Sequence, residues 1–249
     1  MMTQTCIVVP CFNEEFRWDI DFWLNLKRHN DINLIFVDDG STDRTLQLLK
    51  TTASLTGAIV LVSDKNLGKA EAIRLGLNQA ISSGADEVAF LDADGAFSSD
   101  DVKRLISVFK SLKYSEQASC LWSSRVALAG RMIQRSNLRH YFARLLVTIL
   151  AFRYKFNVYD TQSGFKIFQA TEAFRYSLEH KFRTRWFADL EIYLRMSSFT
   201  KQPPVIWEEP VLTWRDVENS KLSGFGFIDV VLDLFRLYWN YPKISSRGE

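Results

Sequence analysis

Two short apolar runs in this sequence each end in a pair of carboxylates. Leu34-Ile35-Phe36-Val37 leads into Asp38-Asp39-Gly40-Ser41, and Val88-Ala89-Phe90-Leu91 leads into Asp92-Ala93-Asp94-Gly95. Two acids side by side at a strand end repel each other unless a cation or N–H donors satisfy them. A divalent cation bound to a diphosphate would do so. Mg²⁺ and Mn²⁺ prefer oxygen ligands and take one or two carboxylates together with substrate phosphates. Gly40 and Gly95 let the backbone turn sharply just past each pair. Alternatively, Asp38, Asp39 and Asp92 only bind backbone amides in turns or cap helices. One pair alone does not separate these two chemistries; two pairs in one sheet favour the cation.

Other chemistries find less support. No G-x-G-x-x-G follows the first apolar run, and Gly68-Lys69 lacks the upstream glycine of a P-loop, with Ala70 in place of its Ser or Thr. Asp92 and Asp94 are also spaced like the nucleophile and acid of haloacid-dehalogenase-type phosphatases, but that motif belongs after a first strand and here follows a fourth. Cys6, Cys11 and Cys120 show no C-x-x-C spacing, and His29, His140 and His180 share no ligand spacing.

The elements that must position these acids are legible in outline. Runs at Thr5–Val9, Asn33–Val37, Ala58–Val62, Glu87–Leu91 and Ala118–Trp122 are short, apolar and β-branched, as buried parallel strands are. Between them, Ala70, Ile73, Leu77, Ala80 and Ile81 repeat at helical spacing, as do Val102, Leu105, Ile106, Phe109 and Leu112. Ser98 should cap the second of these helices, and Thr42 or Asp43 one that begins near Arg44. Repeated βαβ units predict an α/β fold with a mostly parallel, Rossmann-like central sheet and helices on both faces. Ligands in such sheets bind at the carboxyl ends of the strands, where the acids are. The later part reads as a helix from Gln134 to Phe156, a turn and strand over Asp160–Phe168, a helix over Trp186–Met196, an extended stretch from Val205 to Trp214, and a last helix over Phe225–Tyr241.

The chain has 249 residues, 47% hydrophobic, with 31 basic and 29 acidic residues. That is ordinary globular composition; it excludes a disordered chain and gives no electrostatic footprint for a nucleic-acid partner. The expected organisation is one unit over 1–249: residues 1–125 with the repeated βαβ pattern and both acidic strand ends, residues 126–222 with the later mixed elements, and an amphipathic C-terminal helix (223–249).

Taken together, the motifs resemble a known family. Val8-Val9-Pro10-Cys11-Phe12-Asn13-Glu14-Glu15 is similar to the opening strand and turn of the inverting glycosyltransferases of family 2, which have the GT-A fold. Phe36-Val37-Asp38-Asp39-Gly40-Ser41-Thr42-Asp43 is similar to their nucleotide-binding segment, Asn66-Leu67-Gly68-Lys69 to their next turn, and Asp92-Ala93-Asp94 to their D-x-D motif. Asp160-Thr161-Gln162-Ser163-Gly164-Phe165-Lys166, with Trp214 and Asn219-Ser220-Lys221-Leu222, narrows the likeness to the dolichyl-phosphate β-glucosyltransferases. The resemblance implies transfer of a sugar, glucose from UDP-glucose, to a polyprenyl or dolichyl phosphate. Pro10, Phe12, Glu14, Val37 and Asp39 would hold base and ribose. Asp92, Ala93 and Asp94, with Lys69, would meet the diphosphate and a Mg²⁺ or Mn²⁺ ion carried by Asp94 and Asp92. Arg125 would meet phosphate charge, and Arg135, Arg215 and Lys221 would steer a phosphate acceptor. Asp189 aligns with the usual general base, which a hydroxyl acceptor on a saccharide or surface polymer would need; otherwise it is an acid at a helix N-terminus. Phe12 stands where Tyr is common, and Ala96 where the mannosyl relatives carry Gln. A non-catalytic nucleotide-sugar binder would not need both Asp92 and Asp94.

Membrane contact is a separate expectation. The longest apolar stretch, Leu145–Phe152, is far short of the ~20 residues that span a bilayer, and the N-terminus lacks a signal-peptide pattern. A cytoplasmic protein is expected, or one peripheral at the cytoplasmic face of a membrane. In the last helix, Asp229, Asp233, Arg236 and Asn240 form one narrow polar stripe. The wide apolar remainder must be covered by the protein's own sheet, a homodimer partner or a membrane interface.

Overall fold

The computed structural model describes residues 4–29, 31–115, 118–134, 153–154, 158–215 and 225–241. Nine strands are described: Thr5–Cys11 (β1), Ile32–Asp38 (β2), Ile59–Val62 (β3), Glu87–Leu91 (β4), Cys120–Ser124 (β5), Met132–Gln134 (β6), Phe165–Gln169 (β7), Ile206–Pro210 (β8) and Thr213–Arg215 (β9). The helices are Ile20–Lys27 (α1), Thr45–Thr56 (α2), Lys69–Ser82 (α3), Ser99–Tyr114 (α4), Glu172–Ser177 (α5), Ala188–Thr200 (α6) and Phe225–Asn240 (α7).

Seven strands form one sheet in the order β3-β2-β1-β4-β7-β5-β8, and β6 pairs with β9 in a second, two-stranded sheet. The large sheet is mostly parallel, as expected. The exception is β7, which lies antiparallel between β4 and β5. The five early strands lie within two residues of their expected bounds. The expected helix from Gln134 departs from the structure at its start, because Gln134 closes β6 beside Arg215. Most of its remainder lies outside the described residues.

Side chains alternate across each strand, so one strand feeds two cores. Cys6 and Val8 of β1 join α3, α5, α6 and Leu237 of α7 on one face. Ile7, Val9 and Cys11 join α1, α2 and α4 on the other. All three cysteines are buried, and burial pushes the Cys6 and Cys120 thiols up to about 12. The Ser98 hydroxyl caps α4 by accepting from the Asp101 N–H, and Asp43 accepts from the Thr45 N–H at the start of α2.

The last helix turns its polar stripe partly inward. Asp233 is fully buried, Leu237 is fully buried, and Val230 and Leu234 pack on the core. Leu232, Phe235, Tyr238 and Trp239 are exposed, Trp239 at 77%. The fold therefore covers only part of the apolar surface. Among the described residues no helix is long and apolar enough to cross a membrane.

Helix α3 lies close against the sheet because Gly76 has no side chain. A Cβ there would sit 2.2 Å from Val8 Cγ1 and 2.9 Å from Val37 Cγ2. Both valines are fully buried and cannot step aside cheaply. Gly76→Ala is therefore expected to lower stability by about 1–3 kcal/mol through overpacking, despite alanine's better helix propensity. A fall in the urea midpoint with unchanged slope would show it; an equal or higher midpoint would contradict the close packing.

Candidate active site

The loops at the carboxyl ends of β1 and β2 are laced together. Asn13, held at φ +50°, receives on its side chain the Thr42 N–H at 2.9 Å, and its own N–H donates to Ser41 Oγ at 3.0 Å. The Glu14 N–H donates to Thr45 Oγ1 at 2.7 Å, and the Glu14 carboxylate meets Arg17 at 2.6 Å. Pro10 pairs in register with Val37; both are buried, while Phe12 is half-buried.

Asp39 has a structural partner set. One carboxylate oxygen accepts from the Leu67 N–H at 2.7 Å and the other from the Gly68 N–H at 2.8 Å. Burial pushes its carboxyl above the usual range, with these two amides pulling the other way. For this acid, amide binding in a turn, weighed above, is what the geometry displays. It holds the turn that opens α3. Gly40 allows that turn to approach, since a Cβ there would lie 2.6 Å from the Lys65 carbonyl carbon at an unfavourable φ of +71°.

The second acidic pair is arranged differently. Lys69, the first residue of α3, places its Nζ 2.6 Å from Asp92 Oδ1. Burial works against its charge, but Asp92, Asp94 and Asp189 hold the ammonium above its ordinary value. Asp94 accepts from the Ala96 N–H at 3.1 Å. Burial and then the neighbouring Asp92 charge push Asp94's carboxyl above the usual carboxylate range. Ala93, between them, is buried.

On the far side of β4, Asp189 in the first turn of α6 meets Lys166 of β7. Asp189 Oδ2 accepts from Lys166 Nζ, and Oδ1 accepts from the Leu190 N–H at 2.7 Å. The ammonium is 1% exposed, donates further to the carbonyls of Thr161 and Ser163, and lies 4.9 Å from the Trp122 ring centre. Lys69, Gln162, Ser163, Lys166, Trp186 and Asp189 line one small pocket. Asp189 and Lys69, the partner of Asp92, thus border the same space.

Other expected residues are placed elsewhere. Arg125 is paired with Asp160 through Nε at 2.7 Å and Nη2 at 2.8 Å, and lies 5.0 Å over the Trp214 ring. Arg215 is exposed at the end of β9. Arg135 and Lys221 lie outside the described residues. Sequence reasoning did not single out Lys166, Gly164 or Trp186 as site residues. Lysine inside an apolar strand was the available signal, since a buried ammonium needs a partner.

Whether the acids suit a divalent ion can be judged from their surroundings. Asp94's carboxyl is disfavoured as an anion where it stands, which an added cation would relieve. Among the described residues no cluster of three or more His, Cys, Asp or Glu could hold a metal. Two carboxylates completed by phosphate oxygens and water suit Mg²⁺ or Mn²⁺ rather than a closed protein cage. Gly164 keeps this corner open, since a Cβ there would lie 2.5 Å from Asp92 Cγ and Oδ2. Gly164→Ala should displace Asp92 and weaken Mn²⁺-dependent binding of a nucleoside diphosphate by about tenfold or more, about 1.4 kcal/mol. Calorimetric titration measures this; unchanged binding would mean that Asp92's position is immaterial.

Known proteins resemble this chain in sequence and fold. The pattern of Glycosyl transferase family 2 matches residues 6–171. The dolichyl-phosphate beta-glucosyltransferase of Homo sapiens is 33% identical over 99% of this chain and 78% of its own length. That of Drosophila melanogaster is 30% identical over 96% of this chain and 75% of its own. Among solved structures, glucosyl-3-phosphoglycerate synthase from Mycobacterium tuberculosis, in complex with Mn²⁺, UDP-glucose and phosphoglyceric acid, superposes with a TM-score of 0.64. It shares 19% identity over 97% of this chain and 82% of its own, a likeness of GT-A fold. With the family pattern spanning β1 to β7 and the acids at the ends of β2 and β4, the chain belongs to glycosyl transferase family 2 and is a glycosyltransferase.

Proposed function

We propose that this glycosyltransferase moves glucose from UDP-glucose, with inversion, onto the phosphate of dolichol or another polyprenol. The relatives named above carry the dolichyl-phosphate acceptor and the glucosyl group in their names. The observation that carries the choice of acceptor is the pairing of Asp189 with Lys166. A hydroxyl acceptor must lose a proton as it attacks, so it needs a base. The Asp189 carboxylate already has a donor on each oxygen, Lys166 on Oδ2 and the Leu190 N–H on Oδ1, which leaves it poorly placed to take that proton. A phosphate acceptor is already ionised near neutral pH and asks for no such step.

In the reaction, a phosphate oxygen of the acceptor forms the new bond to the sugar C1 while the bond from C1 to the diphosphate breaks. The electron pair leaves with UDP, and a single displacement inverts the centre. A divalent metal held by Asp94 and Asp92 would neutralise charge growing on the leaving diphosphate. Lys69 fixes Asp92 for that task. Lys166 holds the Asp189 carboxyl group in place beside the pocket.

The lipid acceptor gives the exposed stripe of α7 a role. Leu232, Phe235, Tyr238 and Trp239 would rest in the interfacial layer of a membrane, with the two ring-bearing polar side chains at headgroup level.

Two measurements test the proposal. Purified protein, Mn²⁺ or Mg²⁺ and labelled UDP-glucose should transfer label to a short polyprenyl phosphate but not to the matching polyprenol, and Asp94→Asn should abolish transfer. Label on the polyprenol or on a saccharide hydroxyl would overturn the acceptor. Separately, Phe235→Ser with Trp239→Ser should reduce sedimentation with phosphatidylcholine vesicles at least severalfold while leaving transfer to a short, soluble acceptor intact. Undiminished sedimentation would remove α7 as the contact.

A further inference from the structure

The pocket beside Asp189 has a wall that no catalytic step uses. Trp186 lines it, and its indole Nε1 is buried with no hydrogen-bond partner among the described residues. Buried indole N–H groups ordinarily find an acceptor, so an orphan one beside a pocket points to a ligand oxygen.

The topology says which part of a nucleotide sugar would supply that oxygen. Neighbouring strands run β2, β1, β4, β7. The laced turns that suit a nucleoside follow β1 and β2, the Asp92–Asp94 pair follows β4, and Gln162-Ser163 leads into β7. A nucleotide sugar is linear: base, ribose, diphosphate, sugar. With its diphosphate at the end of β4 and its nucleoside over β1 and β2, its sugar falls on the β7 side, where Trp186 stands.

The backbone of Trp186 is held from two directions. Asp233 of α7 accepts on Oδ2 from the Arg185 N–H at 2.6 Å and the Trp186 N–H at 3.0 Å, while Oδ1 accepts from Arg236 at 2.8 Å. From the other side, the Arg185 carbonyl accepts from the Ala70 N–H at 2.9 Å, and Arg185 Nη2 donates to Asn66 Oδ1 at 2.6 Å. The segment is therefore strung between α7 and the turn that presents Lys69.

We propose that Trp186 contacts the transferred hexose, donating its indole N–H to a sugar oxygen, and that Asp233 is the positioning residue that holds it there. This rests on the donor being a nucleotide sugar, but not on the acceptor. The test compares dissociation constants of UDP and UDP-glucose for the intact protein with Mn²⁺, with no acceptor present. Trp186→Phe, which keeps a ring and removes the N–H, should weaken UDP-glucose about 3–10-fold, the worth of one neutral hydrogen bond, and leave UDP unchanged. Asp233→Ala should show the same selective loss. Asp233→Asn, whose amide oxygen can accept both N–H groups, should restore most of it. Equal weakening of both ligands, no weakening in Trp186→Phe, or Asp233→Asn behaving like Asp233→Ala would overturn the proposal. If wild-type protein binds neither ligand, the donor assignment falls and this inference with it. Binding of both with no difference in Trp186→Phe removes this inference alone.

Discussion

Negative charge gathered at the carboxyl end of β4 must be held in place before any substrate arrives, and the contact between Lys69 and Asp92 does so. Much of the fold serves that contact. Asp39 grips the two amides just before Lys69, so the acids of β2 fix the cation that answers the acids of β4. Gly76 lets α3 lie flush on β1 and β2, which sets the height of its first residue above the sheet. Gly164 leaves room for the Asp92 carboxylate on its other side. A helix, a turn and two glycines thus converge on a single ion pair.

The pair formed by Lys166 and Asp189 obeys a different logic. Desolvated ion pairs of this kind contribute little net stability, because burying both charges offsets most of their attraction. Their value lies in fixing geometry. Lys166 spends its donors on two carbonyls and one carboxylate, and its charge also faces the Trp122 ring. The β7 side of the pocket is thereby a wall whose polar groups are held by one another.

Strand positions and the α/β class were legible because buried strands are short apolar runs with sharp ends, and Ser98 and Asp43 act at helix starts where their spacing placed them. The site was legible more unevenly. The pairs Asp38-Asp39 and Asp92-Ala93-Asp94 look alike in sequence, yet Asp39 binds two amides and Asp92 a lysine. Nothing local distinguishes them, since the partners come from a turn about thirty residues on in one case and from a helix N-terminus in the other. The pairing of Arg125 with Asp160 had no local signal, because the two are distant in sequence. The antiparallel insertion of β7 has no periodic signature. In α7 the stripe pattern was right, but its direction was set by what Asp233 could reach, namely two free amides in the segment before α6.

The latch made by Asp233 has a consequence for synthesis. A chain leaves the ribosome N-terminus first, and its early portion can begin to organise before the rest exists. Strands β1, β2 and β4 and the start of α3 all come from the first hundred residues, so the charged floor of the site can assemble early. The wall carrying Trp186 cannot be locked until α7 has been made, some forty-five residues later. A nascent or shortened chain would hold the anionic corner before the Trp186 segment is tied to α7.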